Sequence, residues 1–184
     1  DSEFKTKYDH NPIHHLEDRV KSPQSILEKL NRKGIPFSCE NARNELNDIA
    51  GVRVVCNYID DIYTVADLLT AQDGDGRFSS YSREVEFHVK RKDYIKEPKP
   101  NGYRSLHLVI ETPVYLSEKK ELVHVEVQIR TIAMNFWATL EHDLKYKTDS
   151  VVSAELASQL KDCAETIART DQQMQDIYKA LHEI

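Results

Sequence analysis

Hydrophobic and polar positions change their period several times along the 184-residue chain. Behind Ser22-Pro23, Ile26, Leu27 and Leu30 recur at helical spacing, and Gly34 supplies a stop. Serine suits an N-cap, proline the first turn and glycine the position past the last turn. A second short helix is predicted over 38–47. From Gly51 the run GVRVVCNY reads as a strand, after which Asp60 caps a helix bearing Ile62, Val65, Ala66 and Leu69 on one side. AQDGDGRFSS, 71–80, reads as a loop. Alternation returns over 84–90, with Val85, Phe87 and Val89 on one face. It recurs over SLHLVIE (105–111) and, past a turn at SEKKE, over LVHVEVQIR (122–130). A helix is predicted over 132–146, with Met134, Phe136, Trp137 and Leu140 packing it on the sheet. A helical tail follows from about 151, carrying Leu156, Leu160, Ile167, Met174, Ile177 and Leu181. One helix, or two with a break near Arg169, would fit that pattern. Residues 1–16 show no period and are expected to be an irregular leader.

Four strands with mixed connections, one crossover containing a helix and one terminal hairpin, predict an α/β (α+β) fold. A mixed β-sheet would be flanked by helices, with a domain over 1–150 and the tail over 151–184. Charge narrows the function. The formal net charge of −6, from 25 basic and 31 acidic residues, argues against a general nucleic-acid binder. Yet Lys90–Arg104 holds six basic residues and two acidic ones, a local patch suited to a small anion. No apolar run approaches the ~20 residues of a membrane span. Cys39, Cys56 and Cys163 have neither zinc nor disulfide spacing, so reduced thiols and a cytoplasmic setting are expected. DGDG lacks the later acids of a calcium loop. His10, His14 and His15 lie in the leader, where no zinc site is assigned.

Period two in VHVEVQIR places His124, Glu126, Gln128 and Arg130 on one face and the valines and Ile129 on the other. A half-exposed strand shows the same alternation. Asp48 stands where a loop enters the first strand, and Arg53 lies within that strand. Asp48 also suits a plain turn. Two carboxylates such as Asp48, at a strand entry, and Glu126, on a strand face, could converge on one Mg²⁺ and would then leave its remaining positions to a polyphosphate. Cationic partners for such a substrate include Lys21, Lys29, Lys33, Lys90, Arg91, Lys92, Lys96, Lys99 and Arg104. In KPNGYRSLHL, Gly102 allows close backbone approach and Tyr103 can stack on a purine or pack on the sheet. His107 alternates with Leu106 and Leu108, as a ligand contact or a satisfied sheet histidine. Neither a GxxxxGK[ST] nor a GxGxxG pattern occurs, so side chains and strand edges must hold any nucleotide.

Four stretches stand in order: RVKSPQSILEKL (19–30), NDIAGVRVVC (47–56), YIKEPKPNGYRSLHL (94–108) and VEVQIRTIAMNFWATLEHDLKYK (125–147). Over most of 15–147 they resemble the synthetase domain of the RelA/SpoT homologue family, in its small single-domain alarmone synthetase form. The resemblance implies a nucleotidyltransferase-like fold with five strands, although the periodicity reveals only four. It implies transfer of the β,γ-pyrophosphate of ATP to the 3′-hydroxyl of GDP or GTP, releasing AMP, with Mg²⁺, in the bacterial stringent response. It further implies that Arg19 and Arg53 flank the adenine, that Lys21 and Lys29 meet the ATP phosphates, and that Asp48 binds the metal. Tyr103 would stack on guanine near Lys92, Lys99 and His107. Glu126 would serve as metal ligand, general base or both, with Gln128 and Asn135 lining the pocket. A homotetramer built partly through terminal helices is also implied. His142-Asp143 lacks the upstream histidines of the family's hydrolase domain, so no hydrolase is assigned. A catalytically silent guanine-nucleotide-binding regulator and an RNA-binding module are the alternatives from other classes.

Overall fold

The computed structural model describes residues 10–71, 90–147 and 153–182. The loop read at 71–80, apart from Ala71, and the alternation over 84–89 lie outside them. Five strands form one sheet in the order β1-β2-β5-β4-β3. They are β1 (Ile13–Val20), β2 (Ala50–Cys56), β3 (Lys90–Asp93), β4 (Leu106–Tyr115) and β5 (Lys120–Thr131). β2 runs parallel to β5, and every other neighbouring pair is antiparallel, which makes the sheet mixed as expected. β1 overlaps the segment read as irregular and supplies the fifth strand. Its sequence IHHLEDRV lacks apolar alternation because it is an edge strand with six exposed positions out of eight.

The helices are α1 (Pro23–Arg32), α2 (Cys39–Glu45), α3 (Ile59–Ala71), α4 (Ile132–Lys147) and α5 (Ala154–His182). Ser22 caps α1, its hydroxyl accepting from the Ser25 amide. Gly34, at φ +69°, closes it in a Schellman motif: the Ile35 amide donates to Leu30 O and the Gly34 amide to Asn31 O, both at 3.0 Å. Leu30, Ala42 and Leu46 then bury against one another, with Ile35 alongside, and bind α1 to α2. This small core fixes the chain just ahead of Asp48. Asp60 lies inside the first turn of α3 rather than at its cap. Its neighbour Asp61 reaches back to the Tyr58 amide at 3.1 Å, as the acidic half of a capping box does.

One sheet face carries the main core. Val54, Cys56, Leu106, Leu108, Val127 and Ile129 meet Ile62, Val65 and Ala66 of α3 and Met134 of α4. Trp137, at i+3 from Met134, buries toward α5, and its indole N–H donates to Leu160 O at 3.0 Å. Phe136 and Leu140 are 58 % and 47 % exposed, contrary to the expected sheet packing. They fall on the other side of α4, whose inner stripe at 134, 137 and 138 already serves both the sheet and α5. α5 is continuous through Arg169. No described helix is long and apolar enough to cross a membrane.

Candidate active site

The sheet face opposite the main core carries the polar positions in register. Lys92 pairs with His107, His107 with Gln128, Gln128 with Arg53 and Arg53 with Glu17, one residue from each strand in a single transverse row. The adjacent row contains Lys90, Val109, Glu126, Gly51 and Arg19. Period two therefore collects side chains from five distant segments on one surface.

At its centre is a closed hydrogen-bond circuit. Arg130 donates through Nη2 to Tyr103 Oη and to Gln128 Oε1, both at 2.7 Å. Tyr103 Oη lies 2.8 Å from His107 Nε2, His107 Nδ1 lies 3.2 Å from Glu126 Oε1, and Gln128 Nε2 donates to Glu126 Oε2 at 2.8 Å. With Glu126 ionised, this network assigns the His107 proton to Nδ1 and leaves Nε2 to accept from the tyrosine. Burial acts to raise the Glu126 pKa, but the hydrogen bonds from His107 and Gln128 prevail and hold it below the usual carboxylate value. The charge of Asp48 works in the upward direction, which places the two carboxylates within electrostatic reach.

Asp48 stands two residues before β2, whose Gly51 pairs with Glu126. Its Oδ2 accepts from Lys21 Nζ at 2.8 Å and from Lys29 Nζ at 2.7 Å. Its Oδ1 is buried without a hydrogen-bond partner. Burial opposes ionisation, yet the two lysine hydrogen bonds outweigh it and lower the Asp48 pKa. Among the described residues no cluster of three or more His, Cys, Asp and Glu side chains is arranged for a metal. The available donor set is two carboxylates, one with a bare buried oxygen. That set fits a hard divalent ion that takes its remaining oxygens from water and phosphate.

Tyr103 is half-buried and packs beside Trp137, Ala138 and Ala164. Lys99 Nζ lies 4.6 Å from its ring centroid and 4.7 Å from that of Tyr94. Partial desolvation lowers the Lys99 pKa. Arg19 is exposed on the Glu126 row, while Arg53 Nη1 donates to Glu17 Oε2 at 2.7 Å and its Nε is buried without a partner. Asn135 Oδ1 accepts from Arg130 Nη1 at 3.3 Å. The structure thus brings Asn135, Gln128, His107, Tyr103 and Glu126 into one network, with Asp48, Lys21 and Lys29 beside it. Sequence reasoning missed Arg130 as a site residue. It is 5 % exposed, its hydrogen-bond partners are neutral, and burial lowers its pKa. The signal was present, since Arg130 continues the Glu126–Gln128 face by the same period. Tyr94, edge-on to His107 at 5.1 Å, and Glu17 were also missed, and neither had a distinguishing pattern. Of the leader histidines, His10 bonds Asp61 at 2.9 Å and Tyr178 Oη at 2.8 Å, and His15 bonds Glu17 at 3.0 Å.

Residues 18–151 match the family model described as the region found in RelA / SpoT proteins. The chain is 47 % identical over 177 residues to GTP pyrophosphokinase YwaC of Bacillus subtilis (strain 168), covering 96 % of this chain and 79 % of that protein. Its fold superposes on small alarmone synthetase 1 from Bacillus subtilis bound to its product pppGpp with a TM-score of 0.83. That pair is 37 % identical and covers 98 % of this chain and 86 % of the other. Small alarmone synthetase 2 from the same organism gives a TM-score of 0.79 at 45 % identity, covering 97 % and 88 % of the two chains.

Proposed function

Because this chain belongs to the RelA/SpoT family, we propose that it is a (p)ppGpp synthetase, a GTP/GDP diphosphokinase. It transfers the β,γ-pyrophosphate of ATP to the 3′-hydroxyl of GDP or GTP and releases AMP. The observation that carries this reading is Glu126 on the polar sheet face with Asp48 at the entry to β2, within electrostatic reach of it and held by two lysines, and Tyr103 joined to Glu126 through His107.

Glu126 orients the acceptor. Held ionised by His107 and Gln128, it accepts the proton of the 3′-hydroxyl as that oxygen attacks the β-phosphorus. The bond from the β-phosphorus to the α,β-bridging oxygen breaks, and AMP leaves with that oxygen. Asp48 and Glu126 would hold Mg²⁺, which when bound supplies charge neutralisation on the polyphosphate. In the free protein, Lys21 and Lys29 neutralise Asp48 instead. They exchange that carboxylate for ATP phosphates when the donor arrives, so the site avoids an unpaired buried charge in either state. Arg19 and Arg53 grip the adenine by stacking. Tyr103 stacks on guanine, steadied by Arg130 beneath its hydroxyl, while Lys92 and Lys99 face the acceptor phosphates. The two base clamps hold the hydroxyl in line with the bond that breaks.

Incubation with Mg-ATP and GDP or GTP, followed by nucleotide separation, tests the assignment. AMP and a 3′-pyrophosphorylated guanosine nucleotide should appear together. Binding of both nucleotides without turnover would identify a silent regulator instead. The family reading extends to assembly as a homotetramer, supported by the apolar side chains that α4 and α5 expose. Phe136, Met174 and Tyr178 line a groove of about 730 Å³ there.

A further inference from the structure

The long C-terminal helix touches the loop that carries Tyr103. Gly102, buried and at φ +90°, faces Ala164 of α5 so closely that a Cβ on the glycine would lie 2.5 Å from the Ala164 Cβ. Ala164 is 4 % exposed and belongs to the same cluster as Trp137, against which Tyr103 packs. One residue on, Glu165 Oε2 accepts from Arg104 Nη2 at 2.9 Å. The same guanidinium donates through Nη1 to Gly102 O at 3.0 Å. The loop is closed on itself by Gly102 N to Lys99 O at 2.8 Å and by Lys99 N to Tyr103 O at 3.2 Å. From Tyr103 the hydrogen bonds lead through His107 to Glu126.

Two features make this more than incidental packing. A positive-φ glycine pressed on an alanine gives backbone-close contact that larger residues on either side would prevent. The Arg104 fork ties the loop carbonyl and the helix carboxylate with one planar group, which fixes their relative position. We infer that Ala164 and Glu165 of α5 are positioning residues for the 99–104 loop, setting Tyr103 for the acceptor nucleotide and thereby its affinity. This rests on the assignment of Tyr103 to the acceptor base. Neither residue touches substrate. They act through Gly102 and Arg104, so their loss reaches the acceptor side and leaves the ATP side alone.

The test is steady-state kinetics of the full chain, varying GDP at saturating ATP and the reverse. Glu165→Ala should raise KM for GDP about three- to tenfold, the scale of the net contribution of one ordinary hydrogen bond, because the pair is half open to water, with KM for ATP unchanged. Glu165→Gln, which keeps an oxygen acceptor, should recover most of the loss. Ala164→Leu should push the loop outward and cost up to ~10²-fold in GDP kcat/KM, as misplacements of about 1 Å do. Should that variant fail to fold, the half-exposed Glu165 still carries the test. Tyr103→Ala is measured in parallel. If it raises KM for GDP while Glu165→Ala does not, α5 has no positioning role and the assigned reaction stands. If neither variant moves KM for GDP, the acceptor role of Tyr103 falls and this inference falls with it. Equal rises in both KM values, with a lower unfolding temperature, would reduce Glu165 to a structural contact and also overturn it.

Discussion

Asp48 gives one oxygen to two lysines and keeps the other bare. Asp48→Asn preserves shape but removes the charge on which Lys21 and Lys29 converge. A magnesium titration of turnover should shift its midpoint upward by at least ~10-fold, since even residues supporting a ligand cost that much when lost. An unmoved midpoint removes Asp48 from metal binding. Because its folded pKa is depressed, the stability it contributes is present above the ordinary value of 3.8 and lost as pH falls through the lower native value. Denaturation measured between neutral pH and pH 3 should therefore show a smaller acid-side loss in Asp48→Asn than in the parent protein. Glu126→Gln keeps two polar atoms facing His107 and Gln128 but cannot take a proton. It should fold normally, as judged by circular dichroism, and lose at least ~10²-fold in turnover. Near-normal turnover excludes Glu126 as the base. At this scale the sequence was most readable where period two and polarity coincided, as at Glu126 and Gln128. It was least readable at Arg130, because an arginine at a strand end looks the same whether solvated or buried among neutral partners.

The helices and strands that position these residues were legible where local chemistry decides. Ser22, Pro23 and Gly34 marked both ends of α1, and the Schellman hydrogen bonds show why glycine stands there. Nothing lies within 4 Å of a Cβ placed on Gly34, so Gly34→Ala should cost only the left-handed backbone penalty, roughly 1–2 kcal/mol. Urea denaturation measures it directly. A loss near zero would mean that the turn relaxes into another conformation. β1 escaped notice because an edge strand is specified by its partner's backbone, not by its own apolar pattern. Asp60 reads in the sequence as the cap of α3, whereas the helix begins at Ile59 and the capping contact is made by Asp61, at the third helical position, with the Tyr58 amide. Phe136 and Leu140 were also misplaced. α4 meets two partners, and helical spacing alone does not say which apolar stripe faces inward.

At the scale of the molecule, the mixed sheet was readable from its connections, whereas the strand order was not. The parallel β2–β5 pair sets Gly51 beside Glu126, and so carries Asp48, three residues ahead of that glycine, into the electrostatic range of Glu126 from a distant part of the sequence. That pairing is a long-range event with no local signature. The tail was readable as helical, but its seat on α4 and against the 99–104 loop came from contacts such as Trp137 to Leu160 O. α5 still exposes Met174, Ile177 and Leu181. If these form the tetramer contact, Ile177→Glu should lower the mass seen by light scattering while leaving helical content intact. An unchanged mass would assign the contact elsewhere.

The proposed reaction turns on attack by a guanosine 3′-oxygen at the β-phosphorus of ATP rather than at the γ-phosphorus. Tracing ATP labelled at the β-phosphorus, with Mg²⁺ and GDP, tests it most directly. The label should enter the guanosine product while the AMP formed stays unlabelled. Label retained in ADP, or none reaching the guanosine nucleotide, would contradict it.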